Sequence, residues 1–325
     1  MKRSFLPFIC LGLSLSLFTS TSSQAEEKLS VLGTTEFVAD WVRQVAGEEF
    51  VVGAIISGDA DPHTFSPSPR DMEQVNKAKT IFSIGLGYES WLNALKPPRV
   101  EELSKHGVDL LDWQAGEKKE SHDHGHHHHH HHEDHAGHEH HKHHDHEADP
   151  HFWTDVEQVR AILPAIVEIL SELKPDSAEA FQANAQAYDE VLAELGAGIG
   201  KSMQAVSPEQ RIIVTGHHSF AYFARRYGFE HASPLGTSTD TLDPAAGRLG
   251  AMLKFLEARK PVALFSEDGD PDATLESLSR ESGIPIADEP ILVDGFATGQ
   301  VRVASYVEMM EHNSRVFLRL LSAAE

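Results

Sequence analysis

Unbroken apolar runs of strand length recur along the first third of this chain, in "KLSVLGTTEF", "FVVGAII", "TIFSIGLG" and "VDLLDW". They do not alternate polar with apolar, so each reads as a strand buried on both faces. Helical stretches separate them: Val38 to Ala46, and a second capped by Asp71 and running to about Ala78. Strands of this kind with helices between them predict a mostly parallel sheet covered on both sides.

The pattern stops at residue 117. Through residue 148 there are almost no apolar side chains, and sixteen of the chain's 23 histidines fall between His122 and His146. Such a stretch cannot bury a core, so it reads as a flexible insertion. Regular structure is expected again from "DPHFWTD", where Thr154 or Asp155 caps a helix reaching Leu173. A second helix, from Asp176 to about Met203, keeps apolar residues at helical spacing and is longer than the usual globular helix. After Ser207-Pro208 the α/β alternation restarts: "RIIVTG" as a strand, a helix opening at "HHSFAYFARRYG", "PVALFSE" as a strand, "DATLESLSRESG" as a helix stopped by Gly283, and a last helix near Ala304 to Ala323. The expected fold is therefore α/β, with two lobes joined by one long helix. Its parts are an N-terminal lobe at 26–174, a linking helix at 175–206 and a C-terminal lobe at 207–325.

Residues 1–25 read as a secretory signal peptide, with basic Lys2 and Arg3, an apolar run from Phe5 to Phe18 and small residues ending at Ala25. The run is short for a membrane span of about 20 residues. Cleavage after Ala25 would remove Cys10, the only cysteine, so any bound metal would rest on nitrogen and oxygen ligands. The formal charge of −23 would become about −25 once Lys2 and Arg3 leave. That acidity argues against nucleic acid as a partner.

Four places offer metal-ligating chemistry. His63 lies in "DADPHTFSPSPRD", a loop beyond a strand, where open α/β sheets bind ligands. His151 lies in "DPHFWTD". The recurrence of Asp-Pro-His about 88 residues apart has no packing explanation. His217 and His218 stand just past "RIIVT", with one able to face a crevice while the other packs. An acid must complete the set, and spacing leaves Glu267, Asp288 and Asp294 open.

Together these segments resemble the zinc- and manganese-specific solute-binding proteins of ABC importers, the ZnuA-like family (cluster A-I, or cluster 9), over about Leu29 to Leu321. "DPHTFSPSPRD", "DPHFWTD" and "GHHSFAYFARRYGF" look like its ligand segments, and "SYVEMMEHN" looks like its C-terminal helix. The resemblance implies His63, His151 and His217 as ligands, with His217 at a position that carries His or Glu in the family. Counting back from Tyr306 it implies Asp294 as the fourth, with Asp288 as runner-up and Glu267 at a position that does not ligate. It further implies two lobes meeting around the ion with limited closure, and no enzymatic activity.

Three neutral imidazoles and one carboxylate suit tetrahedral Zn(II), whereas manganese prefers more oxygen. The expectation is a periplasmic, monomeric zinc receptor that delivers Zn(II), its transported ligand, to a membrane permease and its ATPase. The histidine-rich stretch is then an accessory that captures zinc loosely. A manganese receptor of the same family is the alternative, followed by an exported zinc buffer or a zinc hydrolase. Against the hydrolase, four protein ligands leave no open position for water and no HExxH helix is present.

Overall fold

The computed structural model describes residues 28–58, 60–111, 148–235, 246–267 and 273–322. The expected leader, the histidine-rich insertion up to Glu147, and Trp113 lie outside them. The N-terminal lobe contains β1 (Ser30–Gly33), α1 (Glu36–Ala46), β2 (Val51–Ala54), α2 (Pro69–Lys77), β3 (Ile81–Ser83), α3 (Leu92–Leu95), β4 (Val100–Glu102) and α4 (Val156–Leu173). The long α5 (Ala178–Met203) follows, then β5 (Ile212–Val214), α6 (Ala221–Tyr227), β6 (Glu230–Ala232), α7 (Ala246–Arg259), α8 (Ala273–Ser282) and α9 (Tyr306–Leu321).

The first sheet has the order β2-β1-β3-β4, with every pairing parallel. In the second lobe β5 pairs in parallel with β6. Parallel bridges Thr215↔Phe265, Leu264↔Ile286 and Glu267↔Ile291 extend that sheet. The run "PVALFSE" therefore joins the sheet through isolated bridges rather than as a full strand. The loops carrying His63 and His217 leave the carboxyl ends of β2 and β5, the usual ligand edge of open α/β sheets.

Two local readings of the sequence are corrected. The fourth strand of the first sheet is β4, not "VDLLDW". The Asp109 N–H donates to Gln158 Oε1 at 2.7 Å and the Leu111 N–H to Tyr222 Oη at 2.9 Å, so side chains take the donors a ladder would need. The N-cap of α2 is Ser68 rather than Asp71. Asp71 sits three residues in and closes a capping box, accepting from the Ser68 N–H at 2.8 Å. Asp155 caps α4 as expected, and Gly283, with φ 74°, follows α8.

One buried apolar cluster spans both lobes. Phe37 stacks on Trp153 at 4.8 Å and Trp41 meets Tyr306 of α9 edge-on at 5.5 Å. Phe317 of the same helix packs on Phe220 and Phe265. Helix α5 lies against α1, α4 and α9, burying Phe181, Tyr188, Leu192, Leu195 and Ile199. Opening the lobes widely would expose this shared core, and each large aromatic returned to water costs about 1.5–3 kcal/mol.

Candidate metal centre

The two Asp-Pro-His segments fold alike. In the loop after β2, Asp61 Oδ1 accepts from the His63 N–H at 2.8 Å. In the loop before α4, Asp149 Oδ1 accepts from the His151 N–H at 3.0 Å. Each aspartate thus fixes the backbone that presents its histidine, a short-range use typical of Asp in turns. The third segment leaves β5 as "TGHH", with His217 buried ahead of α6. The fourth follows the Ile291 bridge. There Asn313 of α9 accepts from the Leu292 N–H and donates to the Leu292 carbonyl, while Trp153 Nε1 donates to the Val293 carbonyl at 2.9 Å. That clamp delivers Asp294 beside the loop carrying His151.

His63, His151, His217 and Asp294 converge, each buried, with one potential ligand atom apiece lying within 4.8 Å of the others. His151 Nε2 and His217 Nε2 stand 3.2 Å apart. Their other nitrogens face carboxylates: His151 Nδ1 meets Asp149 Oδ1 at 2.8 Å, and His217 Nδ1 meets Glu267 Oε2 at 3.0 Å. A carboxylate only accepts, so both Nδ1 atoms carry the proton and both Nε2 atoms present lone pairs to each other. His63 Nε2 is buried without a hydrogen-bond partner, and Asp294 Oδ2 lies 3.9 Å from His217 Nε2. Four acceptors facing one point fit a cation. Ligands at ~2.0 Å around a tetrahedral zinc lie about 3.3 Å apart, close to the observed His151–His217 spacing.

The electrostatics keep these groups ready. Burial, and then repulsion from His217, holds His151 well below the usual imidazole pKa, so it is neutral at pH 7. Burial raises Asp149 to about 6, which leaves it ionised at neutral pH. Burial also acts to raise Glu267, but the His217 ring and N–H and the Ser219 hydroxyl outweigh it and bring this carboxylate below its ordinary value. Tyr88, raised by burial and by Asp294, stays protonated and donates to Asp294 Oδ1 at 2.8 Å. This occupies one carboxylate oxygen and leaves the other toward the histidines.

Of the acids left open by spacing, Asp288 is exposed and paired with Arg319 at 2.7 Å, far from any role here. Glu267 orients His217, and His218 is only partly buried and turns to His231, with ring centres 4.7 Å apart. Tyr88 and Asp149 went unassigned in the sequence. Asp149 stood in the repeated Asp-Pro-His. Tyr88 sits just past β3, on a turn in which Gly85, Leu86 and Gly87 all take positive φ (85°, 57° and 82°), where glycine is favoured. Glu89 accepts from the N–H groups of Ile84 and Gly85 and from the Thr34 hydroxyl, fixing that turn.

Fold and site together define a solute-binding receptor for a metal ion. The profile of the family described as "ZnuA: Zinc-uptake complex component A periplasmic" matches residues 31–319, and the chain belongs to this family. Its members are metal-binding receptors of ABC transporters and not enzymes, which sets the hydrolase alternative aside. The chain is 29% identical over 313 residues to the metal ABC transporter substrate-binding lipoprotein SloC of Streptococcus mutans, covering 96% of each. It is 26% identical over 322 residues to the iron ABC transporter substrate-binding lipoprotein MtsA of Streptococcus pyogenes, covering 94% of this chain and 95% of that one. The structure is similar to that of the periplasmic zinc binding protein TroA from Treponema pallidum, with a TM-score of 0.74 and 25% identity over 91% of this chain and 100% of that chain.

Proposed function

We propose that this protein is a periplasmic zinc receptor that carries Zn(II) to the permease and ATPase of an ABC importer. His63, His151, His217 and Asp294 are its ligands in this reading. The observation that carries it is the donor set: two imidazole Nε2 atoms, bare because each ring keeps its proton on Nδ1 against a carboxylate, face each other at 3.2 Å beside a third imidazole and one carboxylate oxygen. Nitrogen-rich, four-coordinate sites suit zinc, while manganese takes more oxygen and a larger shell. The relatives' names divide between zinc, iron and metal at large, so the donor set is what favours zinc. The histidine-rich stretch, His122 to His146, serves as a loose collector. Its sequence offers many imidazoles and almost no apolar side chains that could pack around them and fix their orientation.

X-ray absorption at the zinc edge, with one equivalent of zinc on the whole chain, tests the reading. Four nitrogen or oxygen ligands at about 2.0–2.1 Å, three of them imidazole, are expected. The complementary experiment isolates the protein from the periplasm of cells given zinc, manganese and iron together. Manganese or iron in the cleft, or a shell of five to six mostly oxygen ligands, would overturn the zinc assignment.

A further inference from the structure

Trp153 touches three parts of the cleft at once. Its Nε1 donates to the carbonyl of Val293, the neighbour of Asp294, and its ring lies 5.0 Å from that of His151 and 5.0 Å from that of Tyr88. It therefore joins a ligand of the first lobe to the acid-bearing segment of the second. A side chain can set such a spacing only if its own backbone is held.

Tyr306, the first residue of α9, supplies that hold. Its hydroxyl donates to the Trp153 carbonyl at 2.6 Å. Its N–H donates to Asp40 Oδ2 of α1 at 2.9 Å. The opening N–H groups of a helix have no acceptor within it, so Asp40 fastens the start of α9 to the first lobe. The Tyr306 ring, edge-on to Trp41, then carries the hydroxyl across to Trp153. Tyr306 and Trp153 are fully buried and Asp40 nearly so. Burial holds the Tyr306 phenol well above its ordinary pKa, so its proton stays available for donation. One helix thus grips the acid-bearing segment twice, directly through Asn313 on Leu292 and indirectly through Tyr306 and Trp153 on Val293.

We propose that Tyr306 is a positioning residue for the cleft, its hydroxyl setting the separation of His151 and Asp294 through Trp153. The proposal rests on the reading of those two residues as ligands, and Tyr306 acts on them rather than on the ion. Metal–ligand distances hold to within about 0.2 Å, so a small drift of the Trp153 backbone is enough to spoil the fit. The ordinary alternative is that this hydroxyl only stabilises the fold.

Zinc titration by calorimetry, with thermal unfolding of the zinc-free proteins, separates the two. The chains are the parent, Tyr306→Phe, Trp153→Phe, the double variant and Tyr188→Phe. Tyr188 is the matched control, a buried tyrosine of α5 whose hydroxyl has no hydrogen-bond partner. Residues that orient ligands typically change metal affinity ~10–100-fold, and Tyr306→Phe should lose about tenfold. Tyr188→Phe should stay within about threefold of the parent on the same scale. Because Tyr306 acts through Trp153, the double variant should bind no more weakly than the weaker single one. A lower Tm with unchanged affinity in Tyr306→Phe would overturn the proposal. So would an equal loss in Tyr188→Phe, or losses that multiply in the double variant. Should Trp153→Phe fail to fold, Tyr306→Phe against Tyr188→Phe still decides. A parent that binds manganese tightly and zinc weakly would contradict the zinc reading instead, and the same comparisons made with manganese would then decide the role of Tyr306.

Discussion

The two Asp-Pro-His loops share a tripeptide and a backbone hydrogen bond, yet they hold their histidines differently. His151 is fully buried, and Asp149 binds both its N–H and its ring. His63 receives only the backbone contact, its aspartate turning its second oxygen to the Thr64 hydroxyl at 3.0 Å. Its ring packs edge-on to Tyr88 at 4.9 Å and has a free Nε2. One loop is a fixed anchor with its tautomer set. The other presents a ring placed by packing alone, able to adjust as the ion arrives. The same residues supply a rigid and a compliant half because one loop is clamped by the core around Trp153 and the other leaves an edge strand, β2.

Several variants can break this comparison. His151→Ala should have the largest effect. It should lower zinc affinity by more than the ~10–100-fold typical of an orienting residue, and should also lower Tm, because Asp149 Oδ1 loses a buried partner at about 1–3 kcal/mol. His63→Ala should lose affinity but barely move Tm, as read by calorimetric titration and thermal unfolding. Equal Tm losses would show that the loops are equally rigid. A finer contrast lies in the aspartates. Asp149→Asn should weaken zinc binding about 10–100-fold by upsetting the His151 tautomer, whereas Asp61→Asn should change it by less than about tenfold on the same scale. Matching losses in the two variants would remove the distinction drawn here.

Much of this was legible in the sequence for a physical reason. Strand-type runs mark where a parallel sheet must end, and ligands gather at those ends, so His63 and His217 could be singled out. The repeated Asp-Pro-His gave the strongest hint, since packing does not demand a repeated tripeptide. The acid was harder. Asp288 and Asp294 differ only in what meets them from elsewhere: Arg319 for one, and Tyr88, Trp153 and Asn313 for the segment holding the other. Those partners lie up to 206 residues away, and no local spacing encodes them. The short β4 and β6 escaped notice because three residues carry no period. "VDLLDW" misled because its apolar run packs as a loop whose N–H groups bond to side chains of α4 and α6.

In the proposed zinc receptor the cleft, and not the histidine-rich stretch, is the tight site. Zinc titration by calorimetry at neutral pH, on the parent, on His217→Ala and on a chain lacking residues 121–147, tests it most directly. The account predicts a tight site in the parent and in the shortened chain, its loss in His217→Ala, and weaker sites that disappear with residues 121–147. Tight binding that survives His217→Ala but is lost with the histidine-rich stretch would contradict it.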